Sequence, residues 1–344
     1  MGFDNSSNIY AVPPEVNSVM QVVDTFLRHR AKSNERGHGM YHPSAFGKCL
    51  RLMQYQLYAE KGFIDVKNEE FDSTKLRLFD KGHNMHSRWA KYFEHIGVLR
   101  GYWTCTNPAC QLWNDAGKFN EKNISYEINT KDPVSPYTLS SPRVYGLKDK
   151  LGCFKPKQCI CGNRRFDYSE LIVKSEELNM FGHCDMVLDF SNFDDKKFDG
   201  VKKSFNLVDL PKNPIVIDMK TSNDFGFKKV TQKGPDIEYV IQLSIYANIL
   251  DVDFGILIYE NKNTSMTASY KIDKNTDTVF AQVKQQAKKM VEMVELKLLP
   301  PPRPLDKDNY ECSNCPFKGN CHSSKIWDDA DLNNKRKKFY GNLL

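Results

Sequence analysis

The stretch from Pro214 to Ser222 constrains the fold of this chain more than any other. Proline opens it, and the β-branched run Ile215–Ile217 is typical of a short buried strand. Asp218 and Lys220 follow, and since alternate side chains of a strand share a face, we expect them to point the same way. A carboxylate in that position can hold a divalent cation beside an ammonium that orients water. An isolated acid and lysine at this spacing are more often a simple ion pair, so the surrounding sequence has to decide.

Length and composition exclude several classes of protein. At 344 residues the chain can form one large domain or two smaller ones with an ample core. Its 49 basic and 43 acidic residues give a net charge of +6, which is compatible with a nucleic-acid partner without demonstrating one. No apolar run reaches the roughly 20 residues that cross a bilayer, and residues 1–10 lack the features of a signal peptide. We therefore expect a cytoplasmic protein.

Ten cysteines in a reducing compartment indicate metal sites more often than disulfides. The first set lies in a polar segment, residues 103–161, that we interpret as an insertion with a zinc-ribbon-like site. The thiolates favoured as its four ligands are Cys105, Cys110, Cys159 and Cys161. Their spacings depart from the usual C-x2-C, and Cys153 is a fifth candidate. Trp103 and Trp113 could stack on bases there, although a solvated loop is the simpler interpretation of both.

Apolar periodicity predicts alternating helices and strands along the rest of the chain. The predicted helices cover residues 16–28, 44–60, 73–95, 236–250 and 276–298, and Ser44 is expected to be the N-cap of the second. The predicted strands cover residues 166–173, 180–190, 215–217, 254–260 and 266–272. Residues 191–213 are expected to form a charged excursion, and residues 326–344 a basic, loosely ordered tail.

Four motifs occur along the chain in a fixed order: a helical His86, Gly182-x-x-Asp185, Asp218-x-Lys220 and Gln242-x-x-x-Tyr246. In this order they resemble the PD-(D/E)XK nuclease superfamily, in particular its RecB-like branch, which includes the CRISPR-associated RecB-like iron–sulfur exonucleases. The resemblance covers residues 44–325 apart from the cysteine-rich insertion. It implies an α/β fold with a restriction-endonuclease-like core, a central mixed sheet flanked by helices, built from residues 41–102 and 162–298. Residues 1–40 would form an N-terminal helical segment.

A second cysteine set extends the resemblance. Cys49, together with Cys312, Cys315 and Cys321, resembles the split four-cysteine iron–sulfur site of that branch. The resemblance implies a [4Fe-4S] cluster that joins the N-terminal part of the core to the segment 299–325. All-thiolate ligation by itself is compatible with either an iron–sulfur cluster or zinc.

The resemblance also implies a role for each motif residue. The ligands of Mg²⁺ or Mn²⁺ would be His86, Asp185, Asp218 and the backbone carbonyl of Met219. Lys220 would position or activate the attacking water and stabilise the transition state. Gln242 and Tyr246 would position the DNA or the active-site loop. Glu170, on the strand before Asp185, is a candidate supporting acid.

The expected function is that of a metal-dependent DNA exonuclease acting at DNA ends or on single strands. Recombination, repair, phage DNA metabolism and CRISPR spacer processing all fit, in a bacterial, archaeal or phage-infected cell. DNA and the proteins of a recombination, replication or CRISPR adaptation complex would then be the partners. The alternative is a non-cleaving DNA-binding or scaffold subunit that keeps the nuclease fold, and a purely structural zinc protein is a third. Neither alternative gives a chemical reason for retaining the motif acids and lysine together.

Overall fold

The computed structural model describes residues 21–29, 39–64, 72–107, 144–159, 161–193, 210–274, 277–304 and 306–341. This part of the chain is a mixed α/β structure in which a central mixed sheet is flanked by helices. Cys110, Trp113 and most of the charged excursion predicted over residues 191–213 lie outside the described residues. Every described helix is too short or too polar to span a bilayer.

The helices and strands have the following bounds. The helices are α1 (residues 21–29), α2 (Leu50–Glu60), α3 (Ser73–Ile96), α4 (Asp224–Lys233), α5 (Ile237–Leu250), α6 (Asp277–Glu295), α7 (Tyr310–Ser313), α8 (Lys318–His322) and α9 (Leu332–Tyr340). The strands are β1 (Leu99–Cys105), β2 (Val144–Tyr145), β3 (Cys153–Phe154), β4 (Phe166–Ser169), β5 (Leu171–Ser175), β6 (Met180–Cys184), β7 (Met186–Leu188), β8 (Ile215–Ser222), β9 (Phe254–Asn261) and β10 (Thr267–Asp273). One-turn 3-10 helices occupy Pro43–Ala45, Phe190–Asn192 and Lys325–Asp328.

The central sheet has the strand order β10-β9-β8-β7-β1-β2, and β3 and β4 also pair with β1. The β8–β9 pair is parallel, whereas the other described pairs in this sheet are antiparallel. Strands β5 and β6 form a separate antiparallel pair. Since the chain leaves β8 and returns parallel to it as β9, α4 and α5 form the crossover between these two strands.

Alternation along β8 explains how helices come to cover both faces of the sheet. Ile215, Ile217 and Met219 share a buried cluster with Met85 of α3. Val216, on the opposite face, belongs to the cluster that contains Leu243 of α5. A further buried cluster joins α2, α5, α6 and α9. Because side chains alternate along a strand, Asp218 and Lys220 lie on the α5 face.

Most predicted elements are confirmed close to their expected bounds, including the helices at 73–95 and 236–250 and the strands at 254–260 and 266–272. The start predicted at Ser44 is wrong, because Ser44 lies in a 3-10 turn and α2 begins at Leu50 with Cys49 as its N-cap. The turn packs against α5 so closely that a Cβ at Gly47 would lie 2.3 Å from the Cα of Glu238. This contact between residues far apart in sequence is invisible to a search for helical periodicity.

The C-terminal segment is more ordered than expected. Residues 332–340 form α9, and Phe339 and Tyr340 at its end are buried against α2 and α6. The lysines that suggested a solvated tail, Lys335, Lys337 and Lys338, are exposed. A basic segment with two aromatic residues at its end therefore packs as an amphipathic helix.

Trp103 is a core residue and does not offer a stacking surface. It is completely buried in β1, and its indole N–H donates to the carbonyl of Cys153 at 2.9 Å. Strand β1 runs from Leu99 to Cys105 and so crosses the boundary predicted at residue 103. The division of the chain into core and insertion stays a prediction.

Candidate functional site

Two strands that look continuous in the sequence are each interrupted at an acid. The run 166–173 divides at Glu170 into β4 and β5, and the run 180–190 divides at Asp185 into β6 and β7. At both breaks the chain changes partner, because β4 and β7 pair with β1 whereas β5 and β6 pair with each other. The two acids lie at these junctions, where neither belongs to a ladder.

These junctions bring both acids to His86 of α3. The ligand atoms of His86, Glu170 and Asp185 all lie within 4.8 Å of one another. Nδ1 of His86 is 3.4 Å from Oδ1 of Asp185. Burial lowers the pKa of His86, but the contacts with Asp185 outweigh it and leave the pKa above its ordinary value. Two carboxylates and an imidazole at this separation can hold a divalent cation.

The end of the β7–β8 ladder positions Asp185. The last pair of that ladder is Met186 with Ile217. Beyond it, the backbone N–H of Met219 donates to Oδ2 of Asp185 at 2.8 Å, and the hydroxyl of Tyr168 donates to the carbonyl of Asp185 at 2.8 Å. Asp185 is therefore fixed on two sides, while the role expected of the Met219 carbonyl stays a prediction.

Asp218 and Lys220 form the second half of the site, as their spacing predicts. Nζ of Lys220 is 2.8 Å from Oδ2 of Asp218. Gln242 of α5 connects to both, since it accepts from Lys220 at 3.3 Å and donates to Oδ1 of Asp218 at 3.2 Å. The Gln242 amide also lies 3.1 Å from the hydroxyl of Tyr246. The structure thus brings the Asp218-x-Lys220 and Gln242-x-x-x-Tyr246 motifs into one network.

Tyr239 belongs to this network as well, although periodicity predicts for it only a place on the apolar face of its helix. The Lys220 ammonium lies 4.6 Å from the centre of the Tyr239 ring. Burial lowers the pKa of Lys220, but Asp218 and Asp185 raise it by more, so the pKa ends above its usual value. The lysine is therefore held as a cation between a carboxylate and an aromatic face.

Asp218 has an oxygen suited to a metal ion. Its side chain is 1% exposed, and Oδ2 faces the Lys220 ammonium at 2.8 Å. Burial raises the pKa of Asp218 to about 7, and the nearby charges of Lys220 and His86 oppose that increase only in part. A buried carboxylate whose charge is balanced by one ammonium can also bind a divalent cation through its oxygens.

Gly182 is required by close packing. A Cβ at this position would lie 2.9 Å from Cδ of Pro43 and 3.4 Å from the hydroxyl of Tyr246. The glycine therefore lets β6 approach α5 and the turn before α2 at the point where Tyr246 meets Gln242. Close packing therefore explains why a glycine occupies this position of the Gly182-x-x-Asp185 motif.

Cys49, Cys312, Cys315 and Cys321 line one cavity of about 370 Å³. Arg51, Lys48 and Lys318 also line it. Burial raises the pKa of Cys312 to about 12 and also raises the pKa of Cys315 and of Cys321, so a bound metal would be needed to hold these cysteines as thiolates. Among these four sulfur atoms, no three lie within 4.8 Å of one another. A single zinc ion with bonds of about 2.3 Å holds its sulfur ligands roughly 3.8 Å apart. The set is therefore more open than one zinc ion requires.

The first cysteine set is compact by comparison. The sulfur atoms of Cys105, Cys159 and Cys161 all lie within 4.8 Å of one another, whereas Cys153 is not part of this group. Cys110, the fourth ligand expected from the sequence, lies outside the described residues. Three of the four predicted cysteines are thus brought together.

Sequence reasoning undervalued Glu170. Its ligand atom lies within 4.8 Å of the ligand atoms of His86 and Asp185, whereas Asp218 does not belong to this group. The available signal was an acid directly before the apolar alternation of Leu171 and Val173, which marks a strand beginning at residue 171.

No protein-family model and no curated protein matches this chain. Among solved structures, the protein SSO0001 is similar at a TM-score of 0.40 with 12% sequence identity, over 88% of this chain and 95% of that one. An alkaline exonuclease from Laribacter hongkongensis is similar at a TM-score of 0.28 with 10% identity, over 38% of this chain and 57% of the exonuclease. Likeness at this level carries no functional conclusion, which has to come from the geometry of the site.

Proposed function

We propose that this chain is a divalent-metal-dependent nuclease with a PD-(D/E)XK-type core, and that it hydrolyses phosphodiester bonds in DNA. The observation that carries the proposal is the convergence of the buried pair Asp218 and Lys220 with Asp185, which accepts from the backbone N–H of Met219 between them. The neighbouring group of His86, Glu170 and Asp185 supplies further metal ligands.

Mg²⁺ or Mn²⁺ held by Asp185, Asp218, His86 and Glu170 would lower the pKa of a bound water and neutralise charge on the scissile phosphate. The chain's own residues have to arrange the remaining chemistry. Lys220 is a cation next to these ligands and can hold the attacking water or stabilise negative charge that develops on the phosphate. Gln242 fixes the lysine and the acid relative to each other through its two hydrogen bonds.

The exposed surface of helix α4 is suited to a polyanionic substrate. The helix begins directly after the end of β8, which carries the site, and its side chain Phe225 is 82% exposed. Lys228, Lys229 and Lys233 of the same helix are exposed as well. An exposed aromatic ring among lysines suits a nucleic-acid strand, since bases stack on the ring and phosphates contact the ammonium groups.

The open set of Cys49, Cys312, Cys315 and Cys321 is proposed to hold a [4Fe-4S] cluster. A cluster separates its cysteine ligands more widely than a single zinc ion does, and such a separation is compatible with the finding that no three of these sulfur atoms lie within 4.8 Å of one another. The cavity lies next to the active site, because Glu238 lines it while the adjacent Tyr239 contacts Lys220. Its role is to hold α2 and the C-terminal segment together.

Digestion of end-labelled single-stranded and double-stranded DNA with Mn²⁺ tests the proposed activity. The wild-type protein should degrade DNA, and Asp218→Asn and Lys220→Ala should each lower the rate at least about 100-fold, because each removes a group that acts on the reacting phosphate. Chelation of the metal should abolish cleavage. DNA binding, measured separately in Ca²⁺, should persist in both variants.

Asp273→Asn and Lys271→Ala are the matched controls, since these residues form an exposed ion pair on β10. Both should cleave at the wild-type rate. Undiminished cleavage by Asp218→Asn and Lys220→Ala would refute the assigned site. DNA binding without cleavage by the wild-type protein would favour a non-cleaving scaffold subunit instead.

A further inference from the structure

The sulfur triad near the end of β1 has the dimensions of a zinc site. Sγ of Cys105 lies 3.7 Å from Sγ of Cys161, and Cys159 completes a group within 4.8 Å. Zinc–sulfur bonds of about 2.3 Å in a tetrahedron place neighbouring sulfur atoms about 3.8 Å apart. A disulfide would require about 2.05 Å between the same two atoms. The observed separation matches the edge of a zinc–thiolate tetrahedron.

Each of the three sulfur atoms has a hydrogen-bond donor from a neutral side chain. The amide of Asn163 lies 3.2 Å from Sγ of Cys105, and the hydroxyl of Tyr145 lies 3.2 Å from Sγ of Cys159. The amide of Asn107 lies 3.5 Å from Sγ of Cys161. Such donors surround metal-bound thiolates and orient them. In their thiolate form, sulfur atoms this close together need a cation, because their charges repel and two of them are buried.

A tight turn holds two of the ligands. The N–H of Cys159 donates to the carbonyl of Asn163 at 2.7 Å, and the N–H of Gly162 donates to the carbonyl of Cys159 at 2.8 Å. Gly162 has a φ of +86°, which glycine adopts without strain. The Asn163 side chain spans the turn and reaches Cys105 on β1. The turn thus presents the sulfur atoms of Cys159 and Cys161 toward the end of that strand.

We propose that Cys105, Cys159 and Cys161 bind one structural zinc ion that fastens the turn at residues 159–163 to the end of β1. A water molecule would complete the tetrahedral coordination. This site is independent of the proposed nuclease chemistry. It is also separate from the cavity lined by Cys49.

The location of the ion gives it an effect on the acids. In the β1–β4 ladder, Cys105 is opposite Phe166, and β4 ends at Ser169, directly before Glu170. Tyr168 of the same strand donates to the carbonyl of Asp185. Zinc fastens one end of β1 and β4, and the other end of β4 carries the contacts that place both acids. Loss of zinc should therefore loosen Glu170 and Asp185.

Zinc content of the purified full-length protein tests the proposal. Cys161→Ser is the decisive variant, because Cys161 is exposed and its substitution leaves the buried core unchanged. Cys153→Ser is the matched control, a neighbouring cysteine outside the triad. Since the cavity at Cys49 can hold its own metal, the measured quantity is the difference from wild type. We expect a loss of one zinc ion per chain in Cys161→Ser and Cys105→Ser, and none in Cys153→Ser.

Replacement of the metal by Co²⁺ adds a readout that does not depend on stability. The wild-type protein should show the intense visible absorption of tetrahedral cobalt bound to thiolates, and Cys161→Ser should lose or shift that band. Equal zinc in wild type and Cys161→Ser would overturn the proposal. So would iron in place of zinc at these residues, or a disulfide between Cys105 and Cys161 found by mass spectrometry of the untreated protein.

Discussion

Asp218 links protonation to folding because it is fully buried with one close cation. Burial raises its pKa to about 7, whereas an aspartate in an unfolded chain has a pKa of about 3.9. The folded state therefore binds this proton more tightly than the unfolded state does. The stabilisation from the protonated carboxyl is complete below about pH 4 and is lost as the pH rises through 7. A bound divalent cation would replace the proton as the partner of the carboxylate.

This linkage predicts a pH-dependent difference between wild type and Asp218→Asn. In chelator, the free energy of unfolding of wild type, relative to the variant, should fall between about pH 5 and pH 8. Saturating Mn²⁺ should reverse the difference at about pH 8, because only the wild type binds it at full strength. Urea unfolding at several pH values measures both effects.

The control for this comparison is Asp273→Asn, which changes a carboxylate that is 60% exposed. The difference in free energy of unfolding between wild type and Asp273→Asn should stay nearly constant with pH and with added metal. If the difference in free energy of unfolding between wild type and Asp218→Asn also stayed constant with pH, the Asp218 carboxylate would not be buried as described.

At the scale of elements, the sequence predicts which segments are helices and strands better than it predicts where they end. The helix at 237–250 and the strands β9 and β10 follow from apolar periodicity. The break at Asp185 does not, because apolar alternation continues through it, whereas at Glu170 the alternation shifts by one residue. Both breaks arise when β4 and β5, and likewise β6 and β7, pair with different partners. That choice depends on contacts between distant segments.

The same limit applies to the composition of the site. The order of the four motifs predicted that His86, Asp185, Asp218 and Lys220 are neighbours, and the structure brings them together. The motif order could not predict that Glu170 lies next to His86, since this position depends on the strand break at Glu170. It also gave no site role to Tyr239, whose position over Lys220 depends on the packing of α5 on β8.

Packing of β6 against α5 predicts the effect of Gly182→Ala. The new Cβ would press on the ring of Pro43, which cannot rotate away, and would crowd the Tyr246 hydroxyl. We expect a loss of about 1–3 kcal/mol in the free energy of unfolding. Cleavage should fall as well, because Tyr246 contacts Gln242. Chemical denaturation and the DNA digestion assay measure the two effects.

Gly82→Ala is the matched control for this substitution. Gly82 lies within α3, and nothing is within 4 Å of the position that its Cβ would take. Alanine there should stabilise the protein by about 1 kcal/mol, since glycine is a poor helix former. If Gly182→Ala proved as benign as Gly82→Ala, the close approach of β6 and α5 would be wrong.

At the scale of the whole molecule, segments from both ends of the sequence meet at Cys49. The N–H of Leu50, the first residue of α2, donates to the hydroxyl of Tyr340 at 3.0 Å. That hydroxyl donates in turn to the carbonyl of Pro301 at 3.0 Å. The N–H of Arg303 donates to Sγ of Cys49 at 3.4 Å. Helix α9 therefore packs beside the cysteine cavity. The hydroxyl of Tyr340 connects α9 to the start of α2 and to the segment that contains Pro301.

Tyr340→Phe removes that hydroxyl and keeps the ring. The buried N–H of Leu50 would lose its partner, which costs about 1–3 kcal/mol of the free energy of unfolding. Because Cys49 is the N-cap of the same helix, we also expect faster release of the metal group proposed for this cavity. Denaturant unfolding measures the first effect, and the rate of iron loss to a chelator measures the second. Tyr310→Phe is the control, since Tyr310 lines the same cavity but is 82% exposed. Equal behaviour of the two variants in both measurements would show that α9 does not support the cavity.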